Sequence, residues 1–165
     1  MKYIKITGPD VENGLGFRTT LWISGCKCHC EGCHNPETWS FTFGKEFTDE
    51  SYQELKENLS KPYIKGLTLS GGNPVDSPED LLSLLKRVRE DFGNSKDIWL
   101  YSGYVFEDLL KDPLCKEILG LVDIVVDGPF ILSKRNTALP FRGSENQRII
   151  LVQESLKEGI IILKQ

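Results

Sequence analysis

The chain lacks any apolar run of membrane-spanning length, and no apolar stretch follows its Met1-Lys-Tyr-Ile-Lys start, which argues against a spanning helix and a secretory signal. It also lacks a basic excess. Its 20 Lys and Arg stand against 24 Asp and Glu, for a net charge of −4, whereas a general nucleic-acid binder carries a basic face. Internal repeats, low-complexity tracts and Pro/Gly/Ser-rich linkers are missing, so the 165 residues are expected to form one domain, 1–165, around one core. The expectation is a cytoplasmic protein that engages neither membrane nor nucleic acid. Cysteine is sparse but unevenly placed: of five, four (Cys26, Cys28, Cys30 and Cys33) fall within eight consecutive residues. An odd count fits a disulfide framework poorly, and in a reducing compartment clustered thiols read as metal-binding or catalytic.

Hydrophobic periodicity gives alternating strands and helices. Lys2 to Thr7 reads as an edge strand, and the turn-rich Asn13-Gly14-Leu15-Gly16-Phe17-Arg18 leads into a buried strand over Thr19 to Ser24. That Gly-x-Gly lacks the third glycine of a dinucleotide loop and precedes a strand, so it is not one. Thr48 is placed to cap a helix with Tyr52, Leu55 and Leu59 inward. Ser77 is placed to cap another, with Pro78 at its first position and Leu81, Leu82, Leu84, Leu85, Val88 and Phe92 forming a broad apolar face. Short apolar strands are expected at Gly66 to Ser70, Ile98 to Tyr101 and Val122 to Val126. Pro113 should divide Val105 to Leu119 into two helices. Arg148 to Val152 and Gly159 to Leu163 look strand-like. The alternation predicts an α/β fold, a mostly parallel sheet with crossover helices, too short for a closed eightfold barrel and therefore a partial (β/α) barrel or open curved sheet. Chemistry in such folds gathers at the C-terminal strand ends, so Cys26, Gly71, Ser102 and Asp127 are expected to line one mouth.

Cys26, Cys30 and Cys33 form a C-x3-C-x2-C spacing with Cys28 inside it. Structural zinc normally takes four ligands from two separated pairs, and no second pair exists; Cys115 stands alone in a predicted helix, where packing is its expected role. A zinc site from the four clustered thiols would be cramped, although His29 or His34 offers a substitute ligand. Three thiolates also suit a four-iron cluster that keeps one iron open to a small molecule.

With Ser70-Gly71-Gly72-Asn73-Pro74 after the next strand, the C-x3-C-x2-C spacing resembles the radical S-adenosylmethionine (SAM) enzymes, whose fold is the partial barrel and which carry Gly-Gly-Glu-Pro or Gly-Gly-Asp-Pro there. Asn73 departs from that acid, keeping a carbonyl acceptor and losing the charge. Over nearly the whole chain the sequence is similar to the small glycyl-radical activases of anaerobic ribonucleoside-triphosphate reductase. The resemblance rests on Asn13 to Arg18, Ser24-Gly25-Cys26, Cys30-Glu31-Gly32-Cys33-His34-Asn35, Thr38-Trp39, Leu69 to Gly72, Asp97-Ile98-Trp99, Gly103-Tyr104, Val126-Asp127-Gly128, and Arg142-Gly143-Ser144 with Asn146-Gln147.

The resemblance implies a [4Fe–4S] cluster on Cys26, Cys30 and Cys33, with SAM chelating the open iron. Reductive cleavage of SAM would yield a 5′-deoxyadenosyl radical that takes hydrogen from a glycine Cα of the large reductase subunit. The implied electron donor is external, such as flavodoxin. Implied SAM contacts are Gly32 and His34 at the adenine end, Cys33 between them, and Gly71, Gly72 and Asn73 at the methionine end. Ser102 and Asp127 resemble positions that hold a monovalent cation near the SAM carboxylate. His34 reads equally as an exposed loop histidine, Asp127 as a strand-end turn residue, and Arg142 as a surface or SAM-facing residue or an ion-pair partner. Cys28 is expected to be a spectator. No acid–base pair is required, so two histidines suffice. Alternatives are another small radical SAM enzyme, of the 7-carboxy-7-deazaguanine synthase or pyruvate formate-lyase activase type, and a structural zinc module that binds a protein partner.

Overall fold

Four strands run parallel through the middle of one seven-stranded sheet: β2 (Arg18–Ile23), β4 (Gly66–Gly71), β5 (Asp97–Tyr101) and β6 (Ile124–Asp127). This computed structural model describes residues 1–165. Antiparallel strands flank the parallel set. β1 (Lys2–Asp10) pairs with β2, the two-residue β3 (Lys45–Glu46) pairs with the start of β1, and β7 (Arg148–Leu151) pairs with β6, giving the order β3-β1-β2-β4-β5-β6-β7. The α/β class and the parallel centre agree with the sequence reading. β1 runs on to Asp10, past the expected Thr7, and because β3 covers it only at Lys2 and Tyr3 the rest of it is an edge, as expected.

Parallel neighbours need crossovers, and helices supply them. α1 (Asp49–Ser60) joins β3 to β4, and α2 (Pro78–Phe92) joins β4 to β5. The pair α3 (Phe106–Leu109) and α4 (Pro113–Leu119) joins β5 to β6, and α5 (Val152–Glu158) follows β7 directly. Thr48 caps α1 through a reciprocal capping box with Ser51, and Tyr52, Leu55 and Leu59 are buried as their spacing predicted. Ser77 occupies the N-cap position of α2, but its side chain makes no capping bond; Pro78 alone sets the entry. Pro113 divides the next helical segment as expected, and the Asp112 carboxylate caps α4 by accepting from the Cys115 N–H at 2.8 Å. Gly159 to Leu163 is not a strand. α5 takes Val152 onward, leaving one bridge between Ile150 and Leu163.

Side-chain alternation along the strands gives the sheet two different faces. Leu21, Ile23, Leu67, Leu69, Ile98, Leu100 and Val125 pack with α1, α2 and α4 residues in a core of 25 buried residues. The opposite face carries Trp99, Ile124 and Val126, with Tyr101, Phe141, Ile149 and Leu151 packed against them. At the N-terminal strand ends the Arg18 side chain is fully buried. It donates to Thr68 Oγ1 (2.7 Å), Leu67 O (2.8 Å) and Leu15 O (3.1 Å), and pairs with the Asp97 carboxylate at 2.6 Å. Its guanidinium lies 5.3 Å from the Trp99 ring centroid. One side chain thereby ties together the beginnings of β2, β4 and β5.

Candidate metal centre

At the opposite, C-terminal strand ends the chain is held mostly by main-chain contacts. After β2, Gly25 takes φ +99°, and a Cβ there would run into the Phe41 ring. Its N–H donates to Thr38 O (2.8 Å) and the Cys26 N–H to Trp39 O (3.2 Å), fastening the cysteine loop to the 3-10 turn Pro36–Trp39. His29, itself at φ +46°, stacks on Trp39 with centroids 4.5 Å apart. The loop after β4 crosses the same place. Gly72 N–H donates to Ile23 O (2.7 Å) and Asn73 N–H to Gly25 O (2.9 Å). A Cβ on Gly72 would stand 2.6 Å from Gly25 O and 2.9 Å from Thr38 O, so this glycine is required by protein backbone, whatever a ligand asks of it.

These loops enclose a cavity of about 220 Å³ lined by Cys26, Cys28, Cys30 and Cys33, by His34, Gly71, Gly72, Asn73 and Ser102, and by Gly128, Phe130 and Gln147. All four clustered thiols are free and half-buried. Cys26 and Cys28 share a hydrogen bond that pulls the Cys26 thiol down to about 6 and, with burial, pushes Cys28 up. Burial raises Cys30.

The spacing of donors separates two kinds of metal. A single ion with sulfur ligands at about 2.3 Å holds its thiolates roughly 4 Å apart. One trio meets that demand: the ligand atoms of Cys26, Cys28 and Asp76 all lie within 4.8 Å of one another. Cys26, Cys30 and Cys33 are not gathered so tightly, yet all three open on the same cavity, as thiolates at separate corners of a polynuclear cluster must. Three soft donors around a space large enough for more than one atom fit an iron–sulfur cluster.

Of the residues singled out for SAM, Cys33, His34, Gly71, Gly72, Asn73 and Ser102 line the cavity and Gly32 and Asp127 do not. Gly32 faces Leu132, whose Cδ1 a Cβ would meet at 2.8 Å. Asp127 corrects the expectation that every strand end feeds the mouth. Strand parity turns Val126 to the second face and Asp127, like Val125, to the helical side. There its carboxylate accepts from the Phe106 N–H (2.7 Å) and pairs with Arg148 at 2.6 Å, leaving no free anionic oxygen for a cation. The Ser102 hydroxyl accepts from the Tyr104 N–H (3.0 Å). His34 meets Phe130 edge-on, with centroids 5.8 Å apart. Asn73 is buried with both ends of its amide engaged: Oδ1 accepts from Gly103 N–H (3.2 Å), and Nδ2 donates to Asp76 Oδ2 (2.9 Å). Arg142 forms no ion pair and donates to Gln147 O at 2.7 Å. Cys115 packs against the helical core, where burial pushes its thiol up to about 11.

Sequence reasoning gave no site role to three contributors. Gln147 holds the 143–147 turn by accepting from Gly143 and Ser144 N–H and donating to Gly128 O. Phe130 walls the cavity. Asp76 receives the Lys27 N–H (2.8 Å) and the Tyr104 hydroxyl (2.7 Å) as well as Asn73. Its place three residues beyond Asn73 was the available signal.

Residues 12–150 match the 4Fe-4S single cluster domain, a span that includes every cavity residue. The anaerobic ribonucleoside-triphosphate reductase-activating protein of Enterobacteria phage T4 is 41% identical over 151 residues, covering 90% of this chain and 93% of its own. The chain belongs to the family of anaerobic ribonucleoside-triphosphate reductase-activating proteins. The relatives of the same name from Pasteurella multocida (strain Pm70) and Escherichia coli (strain K12) are 39% and 35% identical, covering 90% and 89% of this chain and 96% of each relative. In this activating-family chain, the two glycine-constrained loops that meet at Gly25 and Gly72 carry the cysteines to the cavity.

Proposed function

We propose that this protein activates an anaerobic ribonucleoside-triphosphate reductase as a radical SAM enzyme, converting a glycine of the large reductase subunit to a glycyl radical. The observation that carries the proposal is the convergence of Cys26, Cys30 and Cys33 with the bare backbone of Gly71 and Gly72 on one cavity. In this reading the three thiolates hold a [4Fe–4S] cluster, and Cys33, His34, Gly71, Gly72, Asn73 and Ser102 form the wall against which SAM lies. The bound cluster and SAM supply the one-electron chemistry that removes hydrogen from the glycine Cα.

The chain's own residues bind, orient and exclude water. The low thiol pKa of Cys26 keeps a ligand deprotonated at neutral pH, as metal binding requires. Glycines at 25, 71 and 72 let two loops and a ligand share the space, and Phe130 closes one side. The sheet is read as the partial barrel of the radical SAM fold, forming one domain over 1–165. The electron donor is read as an external one such as flavodoxin, and the setting as the cytoplasm. No helix is long and apolar enough to cross a membrane. A monovalent cation on Ser102 and Asp127 is not carried forward, because Arg148 already neutralises Asp127.

The trio Cys26, Cys28 and Asp76 favours zinc as a second reading. One experiment separates the two: anaerobic reconstitution with iron and sulfide, then EPR of the dithionite-reduced protein with and without SAM, and finally with the reductase. A four-iron signal that changes shape with SAM, followed by a glycyl-radical doublet in the reductase, is expected. A SAM-responsive cluster without that doublet points to another small radical SAM enzyme. A colourless, zinc-loaded protein that takes up no iron overturns the proposal.

A further inference from the structure

The C-x3-C-x2-C spacing has no use for Cys28, yet the fold gives its sulfur a defined place. Cys28 Sγ lies against Gly103 of the β5–α3 loop, where any Cβ would overlap it, and the Asn73 Nδ2 amine stands 3.7 Å away. This sulfur, the Cys26 sulfur and an Asp76 carboxylate oxygen all lie within 4.8 Å of one another. Thiolates bound to one ion at about 2.3 Å are held roughly 4 Å apart, so a small contraction lets the trio share a metal.

The Asp76 carboxylate is already oriented for that role. Its Oδ2 accepts from the Lys27 N–H at 2.8 Å and from Asn73 Nδ2 at 2.9 Å, and its Oδ1 accepts from the Tyr104 hydroxyl at 2.7 Å. Each carboxylate oxygen accepts about two such bonds, so Oδ2 is fully used and Oδ1 keeps one position free. Hydrogen bonds behind a ligating carboxylate fix its direction and strengthen its hold on a metal. An amide nitrogen has two hydrogens to give, and here one faces Asp76 and the other Cys28. A single buried side chain thereby braces two members of the trio.

Donor chemistry selects the ion. Two soft sulfurs favour zinc, copper(I) or iron–sulfur clusters, and the hard carboxylate oxygen turns the choice to a divalent ion. With three protein ligands, water takes the fourth corner of the zinc tetrahedron.

We infer that Cys26, Cys28 and Asp76 form a mononuclear zinc site that competes with the iron–sulfur cluster for the cysteine loop. Zinc binds as each thiol gives up its proton. Cys26 belongs to both ligand sets, so occupation of one excludes the other, and zinc held by the trio keeps iron out. That competition rests on the radical SAM reading; the zinc site itself does not. Zinc found in the protein is then a competing state of the loop, and iron uptake has to be read on protein first stripped with a chelator.

Stripped protein, kept reduced and anaerobic, is titrated with cobalt(II), whose visible spectrum reports tetrahedral sulfur ligation, and the cobalt is then displaced with zinc. Cys28→Ser and Asp76→Asn are each expected to weaken cobalt binding about tenfold or more, since a lost ligand costs at least as much as a lost group behind one. Cys33→Ser removes a cluster thiolate and leaves the trio whole, so its affinity is expected to stay within about threefold of the parent. In reconstitution with iron and sulfide, equimolar zinc added first is expected to lower the parent's iron uptake severalfold and to leave that of Cys28→Ser close to its own zinc-free value. Circular dichroism shows whether each variant is folded, and Cys28→Ala repeats the test should Cys28→Ser not be.

The inference is overturned if the parent binds no cobalt, if Cys28→Ser binds it as the parent does, or if Cys33→Ser loses it as fully as Cys28→Ser. It is equally overturned if zinc blocks iron uptake to the same degree in the parent and in Cys28→Ser. A stripped parent that binds cobalt through the trio but takes up no iron, with or without zinc, overturns the radical SAM reading and leaves the zinc site standing.

Discussion

The two ends of the parallel strands bury polar groups in opposite ways. At the N-terminal end Arg18 is fully enclosed, and its donors are taken up by Thr68, Leu67, Leu15 and Asp97. At the C-terminal end thiols, a buried amide and bare glycines surround a space that the protein does not fill. A buried charge is tolerated where its partners come from the chain itself. Where the chain brings soft donors together and leaves room between them, the missing partner is a ligand. One end has been closed by side chains, and the other has been left for a cofactor to close.

The sharpest way to break this comparison is at the cysteine end. Cys30→Ala should fold normally but lose the four-iron absorbance and all reductase activation, since one thiolate cannot be replaced from within the loop without involving Cys28. If the variant retains a full cluster, measured as iron per chain, Cys28 is a ligand and not a spectator. Gly72→Ala should come next. Its methyl group must displace Gly25 O or Thr38 O, at an expected cost of about 1–3 kcal/mol, and iron uptake should fall severalfold because Gly25 precedes the first ligand. Urea unfolding and iron analysis on the same preparation read both effects.

At the other end the loss should appear in stability alone. Arg18→Met strips the Asp97 carboxylate of its partner, and because Asp97 retains some exposure the cost should be about 3 kcal/mol, the lower part of the range for a broken buried pair. Urea midpoints measure it. Folded Arg18→Met should still load its cluster; failure to do so would show that the two ends are not independent.

The smallest effect separates thiols within the metal-free protein. Cys26, held at about 6, should be alkylated by iodoacetamide at a rate already near its plateau at pH 7.5, while Cys115, pushed up to about 11, should react slowly until the solution is strongly alkaline. Mass-spectrometric mapping of the labelled peptides ranks them. Because the fold favours the protonated form of Cys115, its contribution to stability is complete below its ordinary value of 9.0 and is lost as pH rises through about 11.

Much of this was legible in the chain because the signals were local. Thr48 with Ser51, the Pro113 break, the Leu81 to Val88 stripe and the cysteine spacing each depend on neighbours a few residues away. What escaped depended on parity or on distance. Asp127 ends its strand as predicted, but a one-residue difference in facing decides between cavity and helix. Arg18 reads as a loop residue until Asp97, far along the chain, is brought beside it. Asp76 in Pro74-Val75-Asp76-Ser77-Pro78 looks like an ordinary turn acid, and only the fold shows Lys27, Asn73 and Tyr104 converging on it. The tail was misjudged in extent: after α5 it does return beside β7, where Leu151 N–H donates to Ile162 O and Lys164 N–H to Ile149 O, but the pairing stops at the single Ile150–Leu163 bridge.

The cavity wall draws on residues from Cys26 to Gln147, with β2, β4, β5 and β6 each contributing at or just beyond its last residue. On the ribosome the chain appears from its N-terminus, so the cysteine loop emerges long before the turn held by Gln147. Until Gln147 has emerged, the nascent chain therefore carries its thiols without the wall that shelters them. Only a chain that extends through Gln147 can offer the complete pocket.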